Sequence, residues 1–222
     1  METALITGAN RGIGLALARQ LKDRGYQVIG ACRTASPELH SLGVQIEEGV
    51  DVSRGDSLRQ LANNLRGHRI SLLVNNAGIG GATSLNGIED ELDSWRKQYE
   101  VNALGPLRVT RALINHLRND GKIAILTSRM GSIDDNSSGG NWAYRMSKAA
   151  VNMAGVTLAH ELKDRNIAVA LLHPGFVRTD MTRGQGDVGP EEAAAGLVRR
   201  IDELNMDNSG GFWHANGERL PW

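Results

Sequence analysis

Short, almost wholly apolar runs recur along the chain, separated by longer stretches in which apolar residues return every three or four positions. Uninterrupted apolar runs suit strands buried on both faces, and the longer repeat suits helices with one buried side. The runs predict strands at 4–6, 27–32, 70–74, 123–126 and 167–172, a weaker one at 43–47 and a short last one at 211–214. Helical spacing covers 13–24 and 57–65, then 92–117 as one or two helices with Pro106 near a start or kink, then 142–165. A last helix is predicted over 191–204, with Pro190 in its first turn. Apolar strands alternating with helices imply a doubly wound α/β fold, a mostly parallel sheet covered on both faces. No Pro/Ser-rich linker, charge run or repeat interrupts the pattern, so 1–222 reads as one domain.

Composition narrows the function classes. Hydrophobic residues are 41%, charged residues 23%, and the formal net charge is zero, so neither nucleic acid nor an anionic membrane is indicated as a partner. Cys32 is the single cysteine, which excludes an intramolecular disulfide and fits a reducing cytoplasm. The first residues enter a strand without a signal-peptide pattern, and no apolar run is long enough to span a membrane. The six histidines lack metal-ligand spacing, so no metal is expected. Glycine is abundant at 27 copies, and much of it falls in predicted loops, where the candidate chemistry also lies.

Thr7-Gly8-Ala9-Asn10-Arg11-Gly12-Ile13-Gly14 stands between the first strand and its helix. Glycines there let backbone approach a pyrophosphate at a helix N-terminus. The end of the second strand reads Ala31-Cys32-Arg33-Thr34, with no acid before Glu38 to accept from a ribose 2′-OH. Arg33 suits a 2′-phosphate instead, with Arg11 placed to reach the same group, which favours NADP(H) over NAD(H). Asp51-Val52 and Asn75-Asn76-Ala77-Gly78 follow the third and fourth strands, at the ends where open α/β sheets bind ligands. Ser128 ends the fifth strand, and Tyr144 and Lys148 stand four apart on one helical face. A lysine cation beside a phenol is expected to lower its pKa and fit it for proton transfer. Asn102 lies on a helix beginning near that edge, and His173-Pro174-Gly175-Phe176-Val177-Arg178-Thr179 turns out of the sixth strand. Thr179 is placed to hydrogen-bond a carboxamide.

In this order the motifs resemble the short-chain dehydrogenase/reductase family over essentially the whole chain. The ending Asn216-Gly217-Glu218-Arg219-Leu220-Pro221-Trp222 resembles its C-factor-like and sniffer-like carbonyl reductases. The resemblance implies a Rossmann fold with a seven-stranded sheet in the order 3-2-1-4-5-6-7. It implies an NADP(H)-dependent reductase or dehydrogenase acting on a small carbonyl or alcohol. Tyr144 would be the general acid and base, and Lys148 would hold the nicotinamide ribose and depress the tyrosine pKa. Ser128 would polarise the substrate oxygen, and Asn102 would support a proton-relay water. Cofactor contacts would come from Gly8, Asn10, Arg11, Gly12, Ile13, Gly14, Arg33, Thr34, Asp51, Val52, Asn76, Ala77, Gly78, Pro174, Gly175, Val177 and Thr179, with Tyr144 and Lys148. Arg129, Trp142, Phe176 and Met181 are the candidate substrate residues.

The long helix, with Val151, Ala154, Leu158 and Leu162 on its apolar face, would join subunits in a homodimer or homotetramer. Two departures stand out. Ser128 precedes Tyr144 by sixteen residues, longer than the family's usual spacing, with the excess in the polar loop 134–141. Displacement by that loop would pass the serine role to Ser132. The segment between Thr179 and Pro190 is short, which predicts an open, thinly covered site. The competing reading is a nucleotide-binding regulatory or signalling protein with little turnover; it has no chemical need for Ser128, Tyr144, Lys148 and Asn102 together.

Overall fold

The computed structural model describes residues 2–222. Strands β1 (Thr3–Thr7), β2 (Gln27–Ala31), β3 (Gln45–Glu47), β4 (Ile70–Asn75), β5 (Leu117–Leu126), β6 (Ala168–His173) and β7 (Gly211–His214) form one sheet in the order β3-β2-β1-β4-β5-β6-β7. Every neighbouring pair is parallel, so all carboxyl ends share one edge. The helices are α1 (Gly12–Asp23), α2 (Pro37–Ser41), α3 (Gly55–Asn64), α4 (Ile88–Tyr99), α5 (Gly105–Leu113), α6 (Trp142–Glu161) and α7 (Pro190–Glu203).

Side chains of a strand alternate between faces, and the core divides accordingly. Leu5, Ile29, Leu73, Ile125, Val169 and Leu171 point to one face, under Leu58 and Leu61 of α3, Val109 and Leu113 of α5, and Val151 and Leu158 of α6. Ala4, Ile6, Val28, Leu72, Val74 and Leu172 point to the other, under Leu17 and Leu21 of α1 and Leu197, Val198 and Ile201 of α7. Both helix layers are therefore held by strands apolar on both sides.

Several boundaries differ from the sequence expectation. β5 begins at Leu117, because Leu117 pairs with Ile70 before the register shifts to Leu72–Lys122. The polar stretch between them carries no apolar signal. The short α2 is set by Ser36, whose Oγ accepts from Leu39 N at 3.1 Å and donates to the Asn10 carbonyl at 2.6 Å. The 92–117 stretch is α4, a π-helical turn over Glu100–Leu104, and α5, with Pro106 in α5's first turn. α6 stops at Glu161; a 3-10 turn, Lys163–Arg165, follows, and Asn166 ends it in the left-handed region (φ 55°). Val151, Leu158 and Leu162 are buried in the chain's own core, so they do not form an outward face. The exposed apolar residues of α6 are Trp142, Met146 and Met153.

Beyond β7 the chain turns back along that strand's outer edge. Glu218 O accepts from His214 N at 2.8 Å and Phe212 O from Leu220 N at 2.9 Å, with Trp213 bridging antiparallel to Arg219. The Trp222 ring stacks on Phe212, centroids 5.5 Å apart.

Candidate active site

The glycine loop is built for close approach. Gly8 (φ 67°) and Gly12 (φ 53°) adopt backbone that other residues rarely take. A Cβ on Gly14 would collide with the Gly8 carbonyl and lie 2.5 Å from Asn76 Nδ2. Asn76 Nδ2 donates to the carbonyls of Thr7 (2.9 Å) and Gly8 (3.1 Å), while Thr7 Oγ1 accepts from Asn76 N and Ala77 N, both at 3.1 Å. Thr7 and Asn76 thus clamp the loops after β1 and β4 together, a role invisible in either motif alone. At the start of α1, Arg11 provides no side-chain cap and no acid lies in the first turn. The first-turn N–H groups and the helix dipole are left to serve an anion.

At the end of β2, Arg33 and Thr34 are exposed, and Arg33's guanidinium has no hydrogen bond or ion pair among the described residues. Asp51 follows β3. Burial works to raise its carboxyl, but Ser53's hydroxyl (2.6 Å) and N–H (2.9 Å), with Arg33 and Arg54 nearby, outweigh that and hold it below its usual value. Val52 is buried against Gly105. Arg11 does not stand free beside Arg33; it forms an ion pair with Asp180 at 2.6 Å.

Ser128, Tyr144, Lys148 and Asn102 meet at the carboxyl edge. Lys148 is buried; its Nζ donates to the Leu126 carbonyl at 2.9 Å and sits 5.7 Å from the Tyr144 ring centroid. Ser128 is buried, and its Oγ accepts from Met130 N at 3.1 Å, opening the 3-10 turn Arg129–Gly131. A Cβ on Gly131 would come within 2.7 Å of the Lys148 backbone, so this glycine lets the serine turn lie directly on α6. Ser132 faces away, donating to Trp222 O at 2.9 Å. Asn102 is in the π turn rather than an α-helix; its Oδ1 accepts from Ile79 N (2.9 Å), and its Nδ2 donates to Ile79 O (2.8 Å) and Ser147 Oγ (3.1 Å). A Cβ on Gly78 would lie 3.3 Å from Asn102 Oδ1 and 3.8 Å from Lys148 Nζ, so glycine keeps the space beside both open.

The electrostatics differ from the sequence expectation. Burial raises the Tyr144 phenol above its usual value, with the Ser128 hydroxyl acting the other way. Burial also lowers Lys148, to about 8. Desolvation outweighs the Ser128 hydrogen bond, and Tyr144 carries its proton at neutral pH.

Pro174 and Gly175 (φ 93°) turn the chain after β6, and Thr179 Cγ2 packs against Gly12. The Thr179 N–H donates to Thr182 Oγ1 at 3.0 Å, fixing a 3-10 turn over Asp180–Thr182. The segment after Thr179 is short, yet it crosses the cleft: Asp180 reaches Arg11, and Met181 Cγ lies 3.3 Å from where a Gly80 Cβ would be. Val177, bridged to Val188, and Arg178, donating to Gly186 and Asp187 carbonyls, hold its return. The expected thin cover is a folded strap.

Trp142, Phe176 and Met181 are exposed on the catalytic edge. Arg129, the fourth candidate substrate residue, is neutralised by Asp135 (2.9 Å) and Glu218 (2.5 Å). Arg145 holds the polar loop before α6, donating to the Gly139 and Gly140 carbonyls at 3.1 Å. Its position inside the Tyr-x-x-x-Lys motif gave no sign of this. Among the described residues, no cluster of three His, Cys, Asp or Glu is placed to hold a metal, and no helix is long and apolar enough to cross a membrane.

A glycine-clamped dinucleotide edge with a serine, tyrosine and lysine at its centre defines an oxidoreductase acting on CH–OH or C=O. The short chain dehydrogenase family model matches residues 2–188, and the chain belongs to that family. It is 41% identical to the 1-hydroxy-2-glutathionyl-2-methyl-3-butene dehydrogenase of Rhodococcus sp. strain AD45, covering 100% of both chains. It superposes on the carbonyl reductase Sniffer of D. melanogaster with a TM-score of 0.92 at 27% identity, over 100% of both chains. The NADPH-bound carbonyl reductase from chicken fatty liver gives 0.89 at 27% identity, over 100% of this chain and 99% of that one.

Proposed function

We propose that the protein is an NADPH-dependent reductase that converts a small ketone, aldehyde or quinone to its alcohol, with Tyr144 donating the proton. The observation that carries this is the meeting of Tyr144 with the buried Ser128 and Lys148, whose Nζ lies 5.7 Å from the Tyr144 ring centroid, on the edge where the glycine loop opens. The residues present suit NADPH. The uncapped start of α1 fits a pyrophosphate, Asp51 offers an ionised acceptor, and Arg33 supplies a free cation where an NAD-preferring chain would place an acid. The NADPH-bound reductase that the chain resembles supports the same cofactor.

When bound, the cofactor would supply the hydride for the carbonyl carbon. Ser128's hydroxyl donates to the substrate oxygen and orients it toward Tyr144. Tyr144 gives its Oη proton to that oxygen as negative charge develops there. Lys148's ammonium stabilises the resulting phenolate and would help hold the cofactor's ribose. The open space beside Gly78, bordered by Asn102 and Lys148, is where a water would return the proton to Tyr144.

The test follows NADPH absorbance with a panel of ketones, aldehydes and quinones, for wild type and Tyr144→Phe. Because the named Rhodococcus relative acts on a glutathionyl alcohol, thioether-bearing alcohols with NADP⁺ join the panel. The substitution is expected to lower kcat by about 10²- to 10⁴-fold while NADPH binding persists. Unchanged turnover would overturn the mechanism. Wild-type binding of NADPH without turnover of any member would favour the regulatory reading. A homodimer or homotetramer joined through the outward side of α6, working in the cytoplasm, completes the proposal.

A further inference from the structure

Residues 214–222 take no part in the proposed chemistry, yet they hold two of its walls. The Trp222 carbonyl accepts from Ser132 Oγ at 2.9 Å, from Asp134 N at 3.0 Å and from Ile133 N. Glu218 pairs at 2.5 Å with Arg129, the residue after Ser128. On the other side, Ala215 N donates to the His173 carbonyl at 2.8 Å, directly before the Pro174–Gly175 turn, and the His214 imidazole lies beside Gly175, 3.6 Å from where a Cβ would stand. His214 is itself fixed, its Nδ1 accepting from Asn216 N at 2.9 Å and its ring meeting His173 edge-on at 4.8 Å. Trp222 is anchored by stacking on the fully buried Phe212 of β7. One segment, hooked to one strand, thus touches both the serine turn and the turn that follows β6.

We infer that residues 214–222 are a strut that braces the far side of the serine turn, residues 129–134, against β7, with Glu218 and Trp222 as positioning residues for hydride and proton transfer. The inference rests on the proposed reductase reading. Its physical basis is steep: a displacement of about 1 Å at a reacting centre costs on the order of 10²-fold in rate. Three carbonyl-bound donors and an ion pair restrain the serine turn. Freed of them, the start of the turn stays held, by Thr127 N on the Leu172 carbonyl of β6 (2.9 Å) and by the Gly131 contact with α6, while residues 132–134 lose the three bonds to the Trp222 carbonyl.

The test compares wild type with deletion of Pro221–Trp222, Glu218→Gln and Trp222→Phe. The deletion removes the Trp222 carbonyl, and Trp222→Phe keeps both the carbonyl and an aromatic stack. Deletion is expected to lower kcat by about tenfold or more, leave the NADPH Kd within about twofold, and speed amide exchange at 132–134. Trp222→Phe is expected to restore wild-type values, and Glu218→Gln to give a smaller kcat loss with the same pattern. A folded deletion variant with unchanged kcat would overturn the strut. So would a loss of NADPH affinity equal to the loss of kcat, which marks general loosening. Should the deletion fail to fold, Glu218→Gln decides on the same readouts. Amide exchange needs no turnover, so a wild type inactive on every carbonyl sinks the reductase reading while exchange still decides whether the segment restrains the serine turn.

Discussion

Lys148 shows how little of a residue's chemistry lies in its name. Spacing places it one turn from Tyr144, but burial decides its charge. With its pKa lowered to about 8, the ammonium exists below that pH and is lost above it. Tyr144 is shifted upward and keeps its proton through the same range. For carbonyl reduction, kcat/KM should therefore hold near neutrality and fall as pH rises through about 8, in a profile measured with saturating NADPH. A plateau reaching pH 10 would remove Lys148's charge from the mechanism. Arg33 carries a second test: Arg33→Asp should weaken NADPH by about 10- to 100-fold, the worth of one charged hydrogen bond, with far less effect on NADH, by fluorescence titration. Equal losses would exclude a 2′-phosphate contact. The proposed quartet was legible because Ser128 follows β5, Tyr144 and Lys148 share one face of the first two turns of α6, and Asn102 lies in the turn between α4 and α5 at the same edge. The partners of Arg11 and Arg129 were not, since Asp180 and Glu218 come from remote parts of the chain.

At the scale of elements, the apolar runs sufficed for the central strands, because a strand buried on both faces has no polar positions to blur it, while β3, with Gln45 and Glu47, gave a weaker signal. The pattern failed where polar backbone partners did the work. The early part of β5 carries Arg118, Asn119 and Asp120, and α2 is a single turn set by Ser36. The contact between the serine turn and α6 was equally silent in the sequence, although Gly131 governs it. Gly131→Ala must push the turn from the Lys148 backbone, and overpacking of this kind costs about 1–3 kcal/mol. The expected result is a Tm lower by about 2–10 °C in calorimetry. A kcat loss larger than any change in NADPH affinity should accompany it. An alanine variant with wild-type Tm and kcat would show that the turn yields freely.

The whole molecule presents its outward α6 face as the surface left over from its own core. Met153 is 69% exposed, with Met146 one to two turns before it, while the apolar residues expected there are buried against the sheet. If that face joins subunits, light scattering should report a dimer or tetramer, and Met153→Glu should shift it toward monomer. A wild-type monomer at micromolar concentration would dispose of the assembly. The fold class was readable because it follows from alternation alone. The side of α6 that carries Val151, Leu158 and Leu162 was not readable as core, because a helix's apolar stripe says that something covers it, not whether the cover is its own sheet.

The return of residues 216–220 along β7 has a consequence for solubility. An open parallel sheet ends in two strands with unpaired backbone, each a template for a stranger's strand. β3 is only three residues long, and β7 spends its outer N–H and C=O groups on Glu218 and Leu220. The β7 border is thus closed to cross-chain β-pairing, and the other border offers a stranger's strand only the three residues of β3.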